Sequence, residues 1–216
     1  MAAQLSSIPD TPLPPPILTT PRLHIRPMHP QDAPSMQHHA APYSITRYMT
    51  LAFAHPYTLA HATTWITLNL TSALPNYIIS EAATPHIIIG GIGFKRGADV
   101  SAHTAEIGYW LGEPFWGRGY TTEALAAVTA WGFAEMQGLR RVWAGVFEGN
   151  DASGRCLEKC GYRREGVMRG HVEKGGEVMD LHVFGLTKAD WEEDRRREEG
   201  IVGRIDGIGL GGYLEE

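Results

Sequence analysis

The sequence predicts a mixed α/β fold, on the basis of three features within residues 77–186. β-Rich runs separated by short turns occupy residues 77–111, which is typical of an antiparallel meander of three strands. A strongly apolar stretch, 121–136, is predicted to form a mostly buried helix. Two further β-rich runs, 162–168 and 178–186, flank the sequence EKGGE, which favours a hairpin turn.

The half of the chain before the meander contributes one strand and two helices. The strand begins near Leu18, and within it Leu23 and Ile25 alternate with polar residues. Helical stretches are predicted at 29–49 and 56–70. The residues expected to share the apolar face of the second stretch are Leu59, Thr63, Ile66 and Leu70.

A strand at 140–147 and a short helix at 150–160 lie between the apolar helix and the hairpin. This short helix carries the two cysteines of the chain, Cys156 and Cys160, four residues apart. Their number and spacing exclude a disulfide framework and a zinc site. We expect core-facing thiols and a reducing compartment.

Composition and charge limit the classes of function. The 216 residues are 43% hydrophobic, and their net charge of −5 provides no global basic field. Nucleic acid and anionic membranes are therefore not expected as partners. The first residues lack a signal-peptide pattern, and no stretch approaches the roughly 18 apolar residues that a membrane-spanning helix needs. We expect a cytoplasmic protein.

The distribution of proline, glycine and charge predicts three parts of the chain. Residues 1–17 are a disordered, proline-rich lead-in, 18–191 form one folded domain, and 192–216 are a charged and then glycine-rich tail. The string GIGLGG in the tail resembles a nucleotide-binding fingerprint only superficially, because no strand precedes it and no helix follows.

The candidate functional segment starts at the strand EIGYWL and ends in the short helix. Gly117 and Gly119 lie at the start of the apolar helix, where free N–H groups and the helix dipole favour an anion such as a diphosphate. Arg118 could add a charged contact, although a tight turn with a solvated arginine is the alternative interpretation. Asn150 can cap the short helix, and Ser153 in its first turn could face the same cleft, or both could be ordinary capping residues.

The motifs AEIGYWL, WGRGYTTEAL and NDASGRCLEKCGYRREGVMRG resemble those of the GCN5-related N-acetyltransferase (GNAT) superfamily. The branch they resemble is that of the ribosomal-protein N-terminal alanine and serine acetyltransferases. The resemblance covers residues 18–191. It implies a central, mostly antiparallel sheet of about seven strands flanked by helices. It also implies that the sheet is splayed open between two strands, where acetyl-CoA binds.

The resemblance further implies roles for individual residues. Backbone groups of Trp110 and Leu111, together with Asn150, would contact the pantetheine arm, and the Ser153 hydroxyl would protonate the leaving thiolate. The loop that would hold the pyrophosphate consists of Trp116, Gly117, Arg118, Gly119, Tyr120 and Thr121. The sequence departs from the superfamily at Pro114, where Gln or Arg usually stands, so one phosphate donor is missing.

The general base is less well defined by the sequence. An alkyl amine with a pKa near ~10 is mostly protonated at neutral pH, so attack on a thioester needs a base or a water chain. Glu106 is the first candidate, because alternation along the strand places it with Gly108 and Trp110, which would direct it along the cofactor side. A surface salt bridge is the competing role for Glu106. His171 and Glu173 are alternative bases.

The predicted function is acetyl-CoA-dependent N-acetyl transfer to a primary amine by direct attack in a ternary complex, without a metal. The acceptor is expected to be a protein N-terminus or a small-molecule amine, and the enzyme a monomer or homodimer. The alternative is a catalytically weak acyl-CoA-binding sensor or scaffold. It is motivated by Gly145 and Val172, which stand where some relatives carry their base.

Overall fold

The structure is a computed structural model that describes residues 11–197, and one sheet forms its centre. The strands are β1 (Leu18–Thr19), β2 (Leu23–Pro27), β3 (Asn76–Glu81), β4 (Ile88–Arg96), β5 (Thr104–Leu111), β6 (Arg141–Phe147), β7 (Arg163–Lys174) and β8 (Glu177–Thr187). They lie in the order β1-β2-β3-β4-β5-β6-β8-β7. Strands β5 and β6 run parallel, and the other neighbours run antiparallel. The predicted mixed, mostly antiparallel fold is confirmed, with eight strands rather than about seven.

Helices cover both faces of the sheet. Those that precede the helical residues 188–197 are α1 (Ala33–Ala40), α2 (Tyr43–Thr46), α3 (Leu59–Ser72), α4 (Tyr120–Glu135) and α5 (Asp151–Lys159). Short 3₁₀ turns occur at Pro30–Asp32, Asp99–Ser101 and Glu113–Phe115. The predicted helical stretch 29–49 is thus divided, and α2 begins after Pro42. Within the described residues no helix is long and apolar enough to cross a membrane.

Strand β5 separates two hydrophobic cores because its side chains alternate between the faces of the sheet. Ile107 and Leu111 belong to the core that includes Leu125 of α4. Trp110 belongs to the core on the opposite face, together with Ile66 of α3. One face of β5 is therefore directed toward α4 and α5, and the other toward α1 and α3.

The predicted buried face of α3 is wrong in part. Ile66 is buried as expected, whereas Leu59 and Leu70 are 48% and 47% exposed. The buried residues of the helix are Ala62, Ile66 and Asn69. Asn69 tolerates burial because its amide oxygen accepts a hydrogen bond of 2.7 Å from Asn76 Nδ2. The buried face of α3 therefore includes a polar side chain with a partner on another element, and it differs from the face that apolar periodicity predicts.

The end of the predicted lead-in contacts the domain. The N–H of Ile17 donates to the carbonyl of Ile25 at 2.8 Å, and the Ile17 side chain packs against the core on the α4 side. Ile17, the last residue of the predicted lead-in, thus lies against the edge of the sheet. Residues 1–10 lie outside the described part of the chain.

The predicted tail begins inside a helix. Residues 188–197 are helical, and the Trp191 ring lies 5.5 Å from the ring of Phe133, centroid to centroid. Residues 192–197 of the charged run therefore continue a helix that is anchored to the core. The glycine-rich remainder of the tail, 198–216, including GIGLGG, lies outside the described residues.

A buried hydroxyl pair connects α4 to the start of β7. Thr129 and Tyr162 are 1% and 2% exposed, and their hydroxyl groups share a hydrogen bond of 2.7 Å. Replacing Thr129 by Val leaves the buried phenol without a partner, and we expect a loss of about 1–3 kcal/mol in the free energy of unfolding. Urea denaturation measures this loss. In contrast, Thr64→Val on the exposed side of α3 should change stability by less than about 0.5 kcal/mol, and equal losses would contradict the prediction.

Candidate active site

A slot opens in the sheet where β5 and β6 diverge. The two strands pair only at Thr104–Arg141, Ala105–Val142 and Glu106–Trp143, and no pairs follow. The gap beyond these pairs is a cavity of about 520 Å³. Its walls are β5 and β6, the start of α5, residues 48–51 and residues 171–174. The slot is therefore reached from both faces of the sheet.

The backbone of β5 presents alternate residues to the slot. The N–H of Gly112 donates to the carbonyl of Ile89 on β4 at 2.8 Å. In an antiparallel ladder every second residue pair is hydrogen-bonded. Trp110 and Gly91 are two positions along from Gly112 and Ile89, so the N–H and C=O of Trp110 also face β4 and pair with those of Gly91. This register directs the backbone groups of Trp110, which were expected to contact the pantetheine arm, toward β4. The N–H and C=O of Tyr109 face the slot instead.

The loop before α4 has a geometry suited to an anion. Gly117 and Gly119 have φ angles of 74° and 79°, which side-chain-bearing residues rarely adopt. Gly119 is the N-cap of α4, and its carbonyl accepts the first intrahelical bond, from Glu123 N–H at 3.0 Å. The amides of residues 120–122 therefore have no acceptor within the helix. A Cβ atom added to Gly117 would meet nothing within 4 Å, so the loop leaves room for a ligand.

Arg22 at the start of β2 supports this loop. Its Nε donates to Glu123 at 2.6 Å, its Nη1 donates to the carbonyl of Arg118 at 2.8 Å, and its guanidinium lies 4.7 Å from the centre of the Tyr120 ring. Arg118 itself is half-exposed, with Nη1 3.9 Å from Glu81. Sequence reasoning assigned Arg22 no role, because nothing local connects it to a loop about a hundred residues away.

The flanks of the loop are held by Trp116 and the first turn of α4. The indole N–H of Trp116 donates to the Leu111 carbonyl at 2.6 Å, so the N–H of Leu111 is the group left facing the slot. Thr121 lies in the first turn of α4, half-buried. Pro114 is part of a 3₁₀ turn, Glu113–Phe115, and has no N–H to offer a phosphate.

The start of α5 and strand β5 bring two hydroxyl groups together at the slot. Asn150 is the N-cap, as predicted from the sequence, and its side chain accepts from Ser153 N–H at 3.4 Å. The Ser153 hydroxyl shares a hydrogen bond of 2.9 Å with the phenol of Tyr109. Burial raises the pKa of Tyr109, so the phenol stays protonated near neutral pH. From the sequence, Tyr109 was expected to be a core aromatic. Its odd spacing from Glu106 along β5 could have indicated that the two side chains lie on opposite faces of the sheet, with Tyr109 on the side of α5.

Glu106 lines the slot from the other face of the sheet. Its side chain alternates with Ile107 and Tyr109, so it is directed toward the α1 and α3 side rather than toward the loop and α5. Burial raises the pKa of Glu106, and the positive charge of Lys95, its cross-strand neighbour, lowers it only in part. Among the described residues Glu106 forms no salt bridge, which was its competing role.

The two alternative bases lie at the rim of the slot. His171 and Glu173 are exposed on β7 and line the same cavity as Glu106. Both therefore remain candidates for the general base, but their side chains are more exposed to solvent than that of Glu106. Across residues 11–197, no group of three or more His, Cys, Asp or Glu side chains could hold a metal ion.

Comparison with known proteins identifies the family. The family model described as an acetyltransferase (GNAT) domain matches residues 22–163, which is well over half of the chain. The chain belongs to the GNAT acetyltransferase family. The matched segment of this acetyltransferase runs from β2 to the first residue of β7, so it includes the loop, Glu106 and Ser153 but not residues 171–174.

Curated relatives carry the same kind of name. The acetyltransferase is 32% identical over 175 residues to the uncharacterized N-acetyltransferase YoaA of Bacillus subtilis, covering 80% of this chain and 97% of that protein. It is 30% identical over 108 residues to the ribosomal protein uS5-alanine N-acetyltransferase of Escherichia coli, covering 50% of this chain and 55% of that one. These names agree with an enzyme that acetylates amines.

Solved structures share the fold. A GNAT-family acetyltransferase from Bacillus anthracis superposes with a TM-score of 0.70 at 25% identity, covering 79% of this chain and 97% of that chain. A ribosomal L7/L12 alpha-N-protein acetyltransferase in complex with coenzyme A superposes with a TM-score of 0.68 at 18% identity, covering 79% and 97%. The overall fold of this acetyltransferase is thus shared with both solved structures.

Proposed function

We propose that this acetyltransferase transfers the acetyl group of acetyl-CoA to the primary amine of a protein N-terminus or small molecule, by direct attack in a ternary complex. The observation that carries the proposal is the slot. It places the Ser153–Tyr109 pair of one face of the sheet and the half-buried Glu106 of the other around one cavity, and the glycine loop precedes α4 on the same face as that pair. Two substrates entering from opposite faces would meet there.

The residues on the α4 side fit the chemistry of acetyl-CoA. The glycine loop and the first-turn amides of α4 supply N–H donors and helix-dipole charge for a diphosphate. The open backbone groups of Tyr109 and the N–H of Leu111 can pair with the amides of the pantetheine arm, and Asn150 lies beside them. Bound acetyl-CoA supplies the acetyl thioester, in which the C–S bond breaks as the amine N–C bond forms.

Glu106 is the proposed base. A protonated amine cannot attack, and a carboxylate whose pKa is raised by burial binds a proton more readily than a solvated one. From the α1 and α3 side Glu106 takes one proton from the amine, directly or through water. Backbone N–H groups of β5 at the slot can stabilise negative charge on the acetyl oxygen during the attack.

Ser153 is the proposed acid, with Tyr109 behind it. The Ser153 hydroxyl gives its proton to the departing thiolate, and the second proton that the amine nitrogen loses replaces it, directly or through water. The Tyr109 phenol, which burial keeps protonated, positions the hydroxyl through their shared hydrogen bond. No covalent acetyl-enzyme is required, since neither cysteine lines the slot.

The acceptor is proposed from the shape and from the relatives. The α1 and α3 side of the slot is open enough for a chain end or a small amine, and the uS5-alanine relative is named for a protein N-terminal substrate. Acceptors to test are therefore short peptides with free Ala or Ser N-termini, polyamines and amino sugars.

The test is a thiol-release assay with acetyl-CoA and this panel, run beside calorimetric titration with acetyl-CoA. Release of free CoA that depends on an amine, together with the acetylated amine by mass spectrometry, supports the proposal. Acetyl-CoA binding without turnover of any amine would instead favour the acyl-CoA sensor, and the absence of binding would overturn both.

The hydroxyl pair leads to a further prediction. Tyr109→Phe removes one hydrogen bond to Ser153 and should lower kcat about five- to tenfold, while Ser153→Ala should lower it more, by about a hundredfold. Because the two groups act as a unit, the double variant should resemble Ser153→Ala alone. Steady-state kinetics and acetyl-CoA titration of all three variants measure this; strictly multiplicative losses in kcat would contradict it.

A further inference from the structure

A segment between α2 and α3 crosses the acceptor side of the slot. Side chains of residues 48–51 form one wall of the cavity, and we call residues 47–51 the strap. Thr46 before it and Phe53 after it are buried, whereas every residue from 47 to 52 is exposed or half-buried. Leu51 is 75% exposed. Of the strap residues, Met49 packs against the core on the α1 and α3 side, and it is itself only partly buried.

Lys174 holds the first part of the strap. This residue ends β7, and its ammonium group donates hydrogen bonds to the backbone carbonyls of Thr46 and Met49. Thr46 is the last residue of α2, and its carbonyl also accepts a hydrogen bond of 3.1 Å from the N–H of Met49. The ammonium group thus satisfies two carbonyls that belong to a different part of the fold.

Tyr48 holds the strap from a second direction. Its phenol donates to the carbonyl of Gly149 at 2.9 Å. Gly149 precedes Asn150, the N-cap of α5, so this bond joins the acceptor wall to the element that carries Ser153. Two independent contacts, separated by about a hundred residues or more in sequence, therefore cross the slot from its acceptor side.

We propose that Lys174 and Tyr48 are positioning residues that hold the strap as a fixed wall and so determine which amines reach Glu106. The role in amine selection rests on the proposed function. The anchoring of the strap by Lys174 and Tyr48 is independent of it. Without the ammonium group, the strap loses two hydrogen bonds from a charged donor and is held on that side mainly by the partly buried Met49, so its position becomes less well defined. A wider opening then admits bulkier amines and holds small ones less well.

The anchoring is tested first without any substrate, by hydrogen exchange of residues 47–51. Lys174→Met keeps the length of the side chain and removes its charge, and Lys159→Met makes the same change at an exposed position at the end of α5. We expect exchange in the strap to accelerate about tenfold or more in Lys174→Met, since hydrogen bonds to charged groups are among the stronger ones, and to stay unchanged in Lys159→Met. Equal exchange in the two variants overturns the proposal.

The consequence for selectivity is tested with a series of amines of increasing bulk. In Lys174→Met the KM of the preferred small amine should rise about tenfold while the acetyl-CoA Kd changes less than about twofold, and kcat/KM for the bulkiest amines should rise. Tyr48→Phe should shift the same quantities in the same direction by less. An unchanged amine series in Lys174→Met overturns the selectivity role. If the wild type acetylates no amine, the proposed function fails, and the exchange comparison still decides whether Lys174 anchors the strap.

Discussion

Glu106→Gln is expected to reduce kcat/KM for the amine by about 10²–10⁴-fold, the usual contribution of a positioned general base. The amide is close in shape to the carboxylate, so the sheet and the slot should persist. Acetyl-CoA affinity should hardly change, because Glu106 faces the α1 and α3 side and the proposed loop lies on the other. Steady-state kinetics and calorimetric titration separate the two effects.

The activity of the enzyme should depend on pH through the protonation state of Glu106. The base must be a carboxylate, so activity is present above its pKa and is lost as the pH falls through it. Because burial raises the pKa of Glu106, the acid limb should lie above the ordinary range of a glutamate. That limb should disappear in Glu106→Gln and persist in Glu173→Gln. If the acid limb instead disappears on substitution of Glu173 or His171, the general base lies on β7.

Gly117→Glu is expected to weaken acetyl-CoA binding at least about a hundredfold, because a like charge placed against the diphosphate costs several kcal/mol. Two effects combine at this position. The φ angle of 74° strains any side-chain-bearing residue, and the new carboxylate points into the space that the loop leaves open. Calorimetric titration with acetyl-CoA measures the loss of affinity.

Gly138→Glu provides a matched control. Gly138 also has a φ angle of 74°, a Cβ atom there would also meet nothing within 4 Å, and it lies beyond the opposite end of α4. Both variants should lose similar stability, whereas acetyl-CoA binding should weaken only in Gly117→Glu. Similar affinities in the two variants would show that the loop does not hold the cofactor.

Local patterns are sufficient for much of the fold. The meander of β3 to β5, the helix α4 and the hairpin of β7 and β8 each contain a strong periodicity or a glycine turn within a few residues. The capping role of Asn150 and the glycine turn before α4 follow from short-range chemistry in the same way. The face of α3 does not, because Asn69 is buried only through its partner Asn76 on another element.

In the candidate site, too, some residues can be recognised from local sequence and others cannot. Gly117, Gly119, Asn150 and Ser153 are recognisable in the sequence because their conformations depend on neighbours in the chain. The register of β5 directs the backbone groups of Trp110 toward β4 and those of Tyr109 toward the slot, and a local sequence pattern does not specify that register.

Contacts between distant segments complete the site. Arg22 supports the loop across about a hundred residues, and Lys174 reaches the strap across more. A single sequence carries no local signal for such pairs, since their energy depends on which elements meet in space. Chain-local chemistry thus specifies the elements and the motif residues, whereas the register and packing of the sheet decide which groups face the slot and what holds them there.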